Sequence, residues 1–255
     1  MIVVVISPVQ FVILMKKYLG LIQTPKMTNN GDKKIKGAGA FIFDIDGTLV
    51  DSMAAHTQAW IEFLEQNGAQ LESQDVRRTL VGRTTRDILL QAFGEALTED
   101  EIEALTEQKE SLYRQLYRPR LKPLPGLLDF LERSQALGIP MAVATSAHKA
   151  NIDYTLDELG IRAYFKEIVG EEQVTHPKPH PEIYLITAAR LGVPSQRCIV
   201  FEDSAVGIQA ALGAGMRVIG LATTLDVETL RRDFPLEEVI RDYSGLAPEA
   251  LTKSS

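Results

Sequence analysis

Short apolar runs recur along this chain, most of them followed by a stretch with helical spacing. They read AFIFDI (40–45), IPMAVAT (139–145), KEIVG (166–170), RCIVFED (197–203) and MRVIGL (216–221). Runs this short and continuously apolar have the character of strands buried on both faces rather than of half-exposed alternating strands. Strands that alternate with helices assemble into a parallel sheet covered on both faces, a Rossmann-like α/β fold. The helices are expected at 53–67, 124–137, 181–192 and 205–215.

One stretch breaks the rhythm. Residues 72–118 read as helical throughout, in segments broken near Gly82 and Gly94. Helices inserted after the first strand are expected to form a separate cap over the strands' carboxyl ends, the edge where open α/β sheets bind ligands. The expected organisation is an N-terminal extension (1–37), an α/β core (38–51 and 123–253) and a helical cap (52–122). Leu97, Ile102, Leu105, Leu112 and Leu116 would form the apolar side of the last cap helix, with the charges among them as a solvated face.

Composition excludes several classes. Of the 255 residues, 45% are hydrophobic and 24% charged, the balance of an ordinary globular enzyme. A net charge of −7 without basic clusters argues against nucleic acid as a partner. A single cysteine, Cys198, precludes an internal disulfide framework and suits a reducing, cytoplasmic setting. Its place in an apolar strand makes it an inert core thiol. The opening MIVVVISPVQFVILM is apolar, but it is interrupted by Pro8 and Gln10 and is too short to cross a bilayer. Its positive charges, Lys16 and Lys17, follow the apolar run, the reverse of a secretory signal. No stable membrane insertion is expected. We read the segment as an extension irrelevant to activity, with Met27 a plausible alternative start.

The polar clusters fall at one edge of the expected sheet. Asp44 and Asp46 end the first strand, Thr145 and Ser146 the second, Glu202 and Asp203 the fourth, and Lys178 lies in the loop THPKPHPE. Their chemistry converges on phosphoryl transfer. A phosphate monoester repels an attacking carboxylate, so a divalent cation must neutralise charge between them. Mg²⁺ prefers carboxylate oxygen and water, which suits Asp44 and Asp203. Lys178 and the Thr145 hydroxyl can bind phosphate oxygens, as can the turn at Gly47 and Thr48. The two aspartates divide the work: one attacks phosphorus, and the other protonates the leaving oxygen and then activates water.

Four stretches, DIDGTLVDS, VATSA, KPHPEIY and FEDSAVGI, resemble in order and placement the signature motifs of the haloacid dehalogenase superfamily. The resemblance extends to its β-phosphoglucomutase-like branch of sugar-phosphate phosphatases and mutases. It implies that Asp44 is the nucleophile and Asp46 the general acid/base. Thr145 and Lys178 would bind the transferring group, with Ser146 beside them. Mg²⁺ would be held by Asp44, the main-chain carbonyl of Asp46, Asp203 and Glu202, although Glu202 could equally support the site from behind. His56 would face the substrate, and Trp60 reads as cap core. In VGRTTRD (81–87), Arg83 and Arg86 are candidates for substrate recognition, with a solvated helix junction as the alternative. His148 and Lys149 either meet the distal part of the substrate or merely open a helix.

Asp46 argues against dehalogenation, because a halide leaves without a proton whereas an alkoxide needs one. The expected activity is Mg²⁺-dependent hydrolysis of a small phosphorylated metabolite, a sugar phosphate in the first instance. The alternative is a β-phosphoglucomutase. The mutases resembled here carry a serine-lysine-asparagine run after the second motif and an arginine on the cap loop. This chain has Ala147–His148–Lys149 at the first place and Thr85, beside Arg86, at the second.

Overall fold

The computed structural model describes residues 37–69 and 84–252. Residues 1–36 of the N-terminal extension and Arg83 lie outside the described residues.

Six parallel strands form one sheet: β1 (Ala40–Phe43), β2 (Met141–Ala144), β3 (Glu167–Val169), β4 (Cys198–Glu202), β5 (Arg217–Leu221) and β6 (Glu238–Ile240). Their spatial order is β3-β2-β1-β4-β5-β6, so β1 lies between β2 and β4. This is the expected Rossmann-like sheet, and β6 is a strand that the sequence did not suggest. The helices of the α/β layer are α4 (Leu127–Ala136), α5 (Lys149–Glu158), α6 (Glu182–Leu191), α7 (Ala205–Gly213), α8 (Val227–Asp233) and α9 (Pro248–Thr252).

The period-2 geometry of strands explains why both faces are apolar. Phe41, Phe43, Met141, Val143, Ile199, Phe201 and Ile219 point into one buried cluster. Their neighbours Ala40, Ile42, Ala142, Ala144, Cys198, Val200 and Val218 point into the other. The first cluster is aromatic: Phe43 stacks on Phe201 with centroids 4.7 Å apart, and Phe130 packs edge-on against both. Cys198 is fully buried, and its thiol is pushed up to about 11 by that burial, consistent with an inert role.

Between β1 and β2 lie α1 (Met53–Gln66), α2 (Thr85–Phe93) and α3 (Glu99–Tyr117). Helices α2 and α3 each begin with a reciprocal capping box, Thr84 with Asp87 and Thr98 with Glu101. Trp60, Phe63, Leu64, Ile88, Leu89 and Ile102 give these helices a hydrophobic cluster of their own. Ile102 is buried as expected, and Leu97, Leu105, Leu112 and Leu116 pack, partly buried, against the hydrophobic clusters, but the buried residues of α3 also include Lys109, Glu110, Tyr113 and Tyr117. The charges of α3 are therefore not all on a solvated face. Lys109 is buried because its ammonium pairs with Glu110 at 2.8 Å and lies 5.0 Å above the Trp60 ring.

The inserted helices also bond to the α/β layer. Asn151 of α5 donates to Glu110 Oε2 at 2.7 Å and accepts from Arg114 at 2.9 Å, and the Tyr117 hydroxyl donates to the Asp51 carbonyl at 2.9 Å.

Candidate active site

Because the strands run parallel, all their carboxyl ends meet one edge. Asp44 and Asp46 follow β1, Thr145 and Ser146 follow β2, Glu202 ends β4 and Asp203 follows it. The ladder continues one residue past the strands: Asp44 N–H donates to the Phe201 carbonyl and Thr145 N–H to that of Val169, both at 3.1 Å. Backbone pairing thus fixes where these side chains start. They line a cleft of about 600 Å³ together with Lys178, His56 and Arg86.

Lys178 comes in from the loop between β3 and α6. Its Nζ donates to Asp44 Oδ1 at 2.8 Å, to Glu202 Oε1 at 2.7 Å and to the Ala144 carbonyl at 3.3 Å. Burial alone would lower the ammonium, but the Asp44 and Glu202 charges outweigh it and raise it well above its ordinary value. Glu202 is saturated by protein donors. Oε1 also accepts from the Tyr184 hydroxyl at 3.1 Å, and Oε2 accepts from Asp203 N–H and Ser204 N–H at 2.9 Å and from the Ser204 hydroxyl at 3.0 Å.

The acids outnumber the bases here. Asp44, Glu202 and Asp203 are each buried beside a single lysine. Burial, then the Glu202 and Asp46 charges against the pull of Lys178, raises the Asp44 carboxyl to about 7. Burial, then Glu202 and Asp44, raises Asp203 as well. Asp203 accepts a hydrogen bond from Thr224, and Gly47 makes room for it. A Cβ at Gly47 would stand 2.0 Å from Asp203 Oδ2, and the residue has φ of 75°, so only glycine suits this turn.

Asp46 sits in a different environment. Its Oδ1 accepts from the Ser52 hydroxyl at 2.6 Å and from Tyr113 OH at 3.4 Å, and His56 Nε2 lies 3.3 Å away. Ser52 precedes α1 in the N-cap position but makes no side-chain cap bond, its hydroxyl being given to Asp46. Burial would raise Asp46, but the neighbouring imidazole, the Ser52 hydroxyl and the Lys109 charge together hold it below the usual carboxylate range. His56 is itself held, stacked on Tyr113 with centroids 3.7 Å apart and with Nδ1 3.1 Å from Lys109 Nζ.

Among the outlying candidates, Arg86 lines the cleft, but its guanidinium is bound by both oxygens of Glu99, one at 2.7 Å. Lys149 pairs with Asp153, and His148 Nδ1 lies 3.8 Å from Glu107. Trp60 is buried in the helical cluster, as expected. Sequence reasoning missed Lys109, Glu110, Asn151, Glu171 and Glu172, all of which line the cleft. The signal for the first two was present: Lys109 falls four residues before Tyr113, on the stripe that α3 turns inward.

Comparison with known proteins gives the family. Residues 41–221 match the family model for haloacid dehalogenase-like hydrolases. The chain is 37% identical over 179 residues to a fructose-1-phosphate phosphatase, YqaB, of Escherichia coli, covering 70% of this chain and 93% of that protein. It is 32% identical over 191 residues to a phosphorylated-carbohydrates phosphatase of Thermotoga maritima, covering 73% and 87%. Among solved structures, a β-phosphoglucomutase of Clostridium difficile superposes with a TM-score of 0.70 at 27% identity, over 84% of this chain and 95% of that one. On these matches the chain belongs to the haloacid dehalogenase-like hydrolases, in their β-phosphoglucomutase-like branch, and is a phosphoric monoester hydrolase.

Proposed function

We propose that this enzyme is an Mg²⁺-dependent phosphatase of a small monophosphorylated sugar, working through an aspartyl-phosphate intermediate. One observation carries the reading: the ammonium of Lys178 bridges Asp44 and Glu202 at the foot of a cleft that also presents Asp46, Thr145 and Asp203.

The acidic cluster fits a divalent cation. Asp44 and Asp203 are hard oxygen donors whose raised pKa values reflect burial and mutual repulsion, which a cation would relieve. Those two, with the main-chain carbonyl of Asp46, would hold it, while the bonds already made to Glu202 suit it to bracing Lys178. When bound, Mg²⁺ would offset the repulsion between the Asp44 carboxylate and the phosphoryl oxygens.

Asp44 attacks phosphorus as the bond to the leaving alkoxide breaks, and Asp46 gives that oxygen its proton. Approach of the phosphate dianion raises Asp46 from its depressed resting value and so lets it carry the proton. Asp46, then ionised, takes a proton from the water that attacks the phosphoaspartate, and phosphate leaves with Asp44 restored. Lys178 and Thr145 bind the phosphoryl oxygens, and the cap formed by α1–α3 excludes bulk water.

The mutase reading draws support from the structural likeness to the C. difficile β-phosphoglucomutase. A mutase must hold a second phosphate, and apart from Lys178, which serves the transferring group, the described lysines and arginines of the cleft are paired: Arg86 with Glu99, Lys109 with Glu110 and Lys149 with Asp153. That favours hydrolysis. The names of the E. coli and T. maritima relatives point the same way, to phosphorylated carbohydrates.

The test is phosphate release from a panel that includes fructose 1-phosphate and β-glucose 1-phosphate primed with a bisphosphate, with and without Mg²⁺. The expected result is Mg²⁺-dependent free phosphate that disappears in Asp44→Asn. Glucose 6-phosphate forming faster than free phosphate would reverse the ranking.

A further inference from the structure

The loop that delivers Lys178 carries a second set of ligand atoms. His176 and His180 flank the Pro177–Lys178–Pro179 run, and Glu182 opens α6. One ligand atom from each of the three lies within 4.8 Å of the others. His176 Nδ1 is 2.8 Å from Glu182 Oε2, and His180 Nδ1 is 3.8 Å from the same oxygen. The two imidazole centroids are 4.6 Å apart.

The carboxylate is held in place. Its Oε1 accepts from Thr175 N–H at 2.9 Å and its Oε2 from His176 N–H at 3.0 Å. Both imidazoles are open to solvent, with side chains 62% and 51% exposed. Phosphoryl transfer uses none of the three groups.

We propose that His176, His180 and Glu182 form a second metal site, selective for a borderline transition cation such as Zn²⁺. The donor set is the reason. Two imidazoles and one carboxylate suit Zn²⁺, Co²⁺ or Ni²⁺, whereas the all-oxygen pair of Asp44 and Asp203 suits Mg²⁺. Donors around a four-coordinate ion with bonds of about 2.0–2.2 Å stand roughly 3.3 Å apart, so small side-chain rotations close the site. The ion would take the place of the His176 Nδ1–Glu182 Oε2 contact, with any proton on Nδ1 released to solvent, and three protein ligands leave one position for water. Metal bound there ties together the two ends of the segment that carries Lys178, bracing the ammonium from outside the cleft.

Co²⁺ is a suitable probe. The full-length, tag-free protein is dialysed against micromolar Co²⁺ in millimolar Mg²⁺, which occupies the hard-oxygen site. Retained metal is measured, and visible absorption reads its geometry. The wild type is expected to hold one equivalent with the intense bands of a four-coordinate nitrogen–oxygen site. The His176→Ala/His180→Ala double variant should bind at least about tenfold more weakly. Retention of no Co²⁺ by the wild type overturns the proposal whatever the variant does. So does equal retention by a double variant whose far-ultraviolet spectrum matches the wild type.

Discussion

Lys178 and Glu202 form an ion pair at the foot of the cleft, 2.7 Å between Nζ and Oε1, with side chains 5% and 1% exposed. A buried pair of this kind contributes little net stability when intact but is costly to break, because the surviving charge is left without compensation. In the proposed reaction the pairing has a use. It holds a cation against Asp44 and the Ala144 carbonyl, where a phosphoryl group would arrive.

Replacing Glu202 by Gln tests this division of labour. Lys178 loses one of its two carboxylate partners, and turnover is expected to fall about 10- to 100-fold, with the Mg²⁺ concentration for half-maximal activity little changed. Asp203→Asn should do the opposite, shifting the Mg²⁺ requirement upward. Phosphate release across a Mg²⁺ titration compares the two. A large Mg²⁺ shift in Glu202→Gln with unchanged turnover would assign Glu202 to the cation instead.

Gly207 supplies a second test, through space rather than charge. It lies within α7, where alanine ordinarily stabilises a helix by about 0.5–1 kcal/mol. A Cβ there would stand 1.7 Å from Glu202 Oε1. Gly207→Ala is therefore expected to lower both melting temperature and turnover, because Glu202 must move and Lys178 with it. A variant that melts higher and retains full activity would contradict the packing described here.

The buried Lys109–Glu110 pair makes the third prediction, in stability against pH. Burial would raise Glu110, but the Lys109 and His56 side chains and the bonds from Lys109 and Asn151 outweigh it and lower the carboxyl below its ordinary 4.5. A depressed carboxyl contributes stability that is present above pH 4.5 and lost as pH falls through its folded-state value. Glu110→Gln leaves Lys109 without its carboxylate and is expected to cost about 3 kcal/mol at neutral pH. The gap in stability between wild type and variant should narrow as pH drops below 4.5. Chemical denaturation at several pH values measures it, and a gap independent of pH would refute the electrostatic account.

Much of the molecule was legible in the order of its residues. Continuous apolar runs ending in polar residues located β1, β2 and β4 and placed Asp44, Thr145 and Asp203 at one sheet edge. That inference is local: a strand buried on both faces has few alternatives, and parallel strands must expose the same end on one side. The short strand β6 and helices α8 and α9 were not legible, because brief segments with mixed burial carry too little periodicity.

What the chain order determined, then, was the sheet, the edge and the residue types gathered there. The tertiary structure alone decided how those residues are employed. Glu202 reads in sequence as one more acid beside Asp203, and only the fold brings Lys178, Tyr184 and the Ser204 hydroxyl onto its two oxygens. Lys109 reads as one charge among many on a polar helix, and only the packing of α3 against α1 sets it between Glu110 and His56. Periodicity records which face of an element is apolar. Which distant groups reach a buried charge, as Lys178 and Tyr184 reach Glu202 and His56 reaches Lys109, is set by tertiary contacts that no local pattern contains.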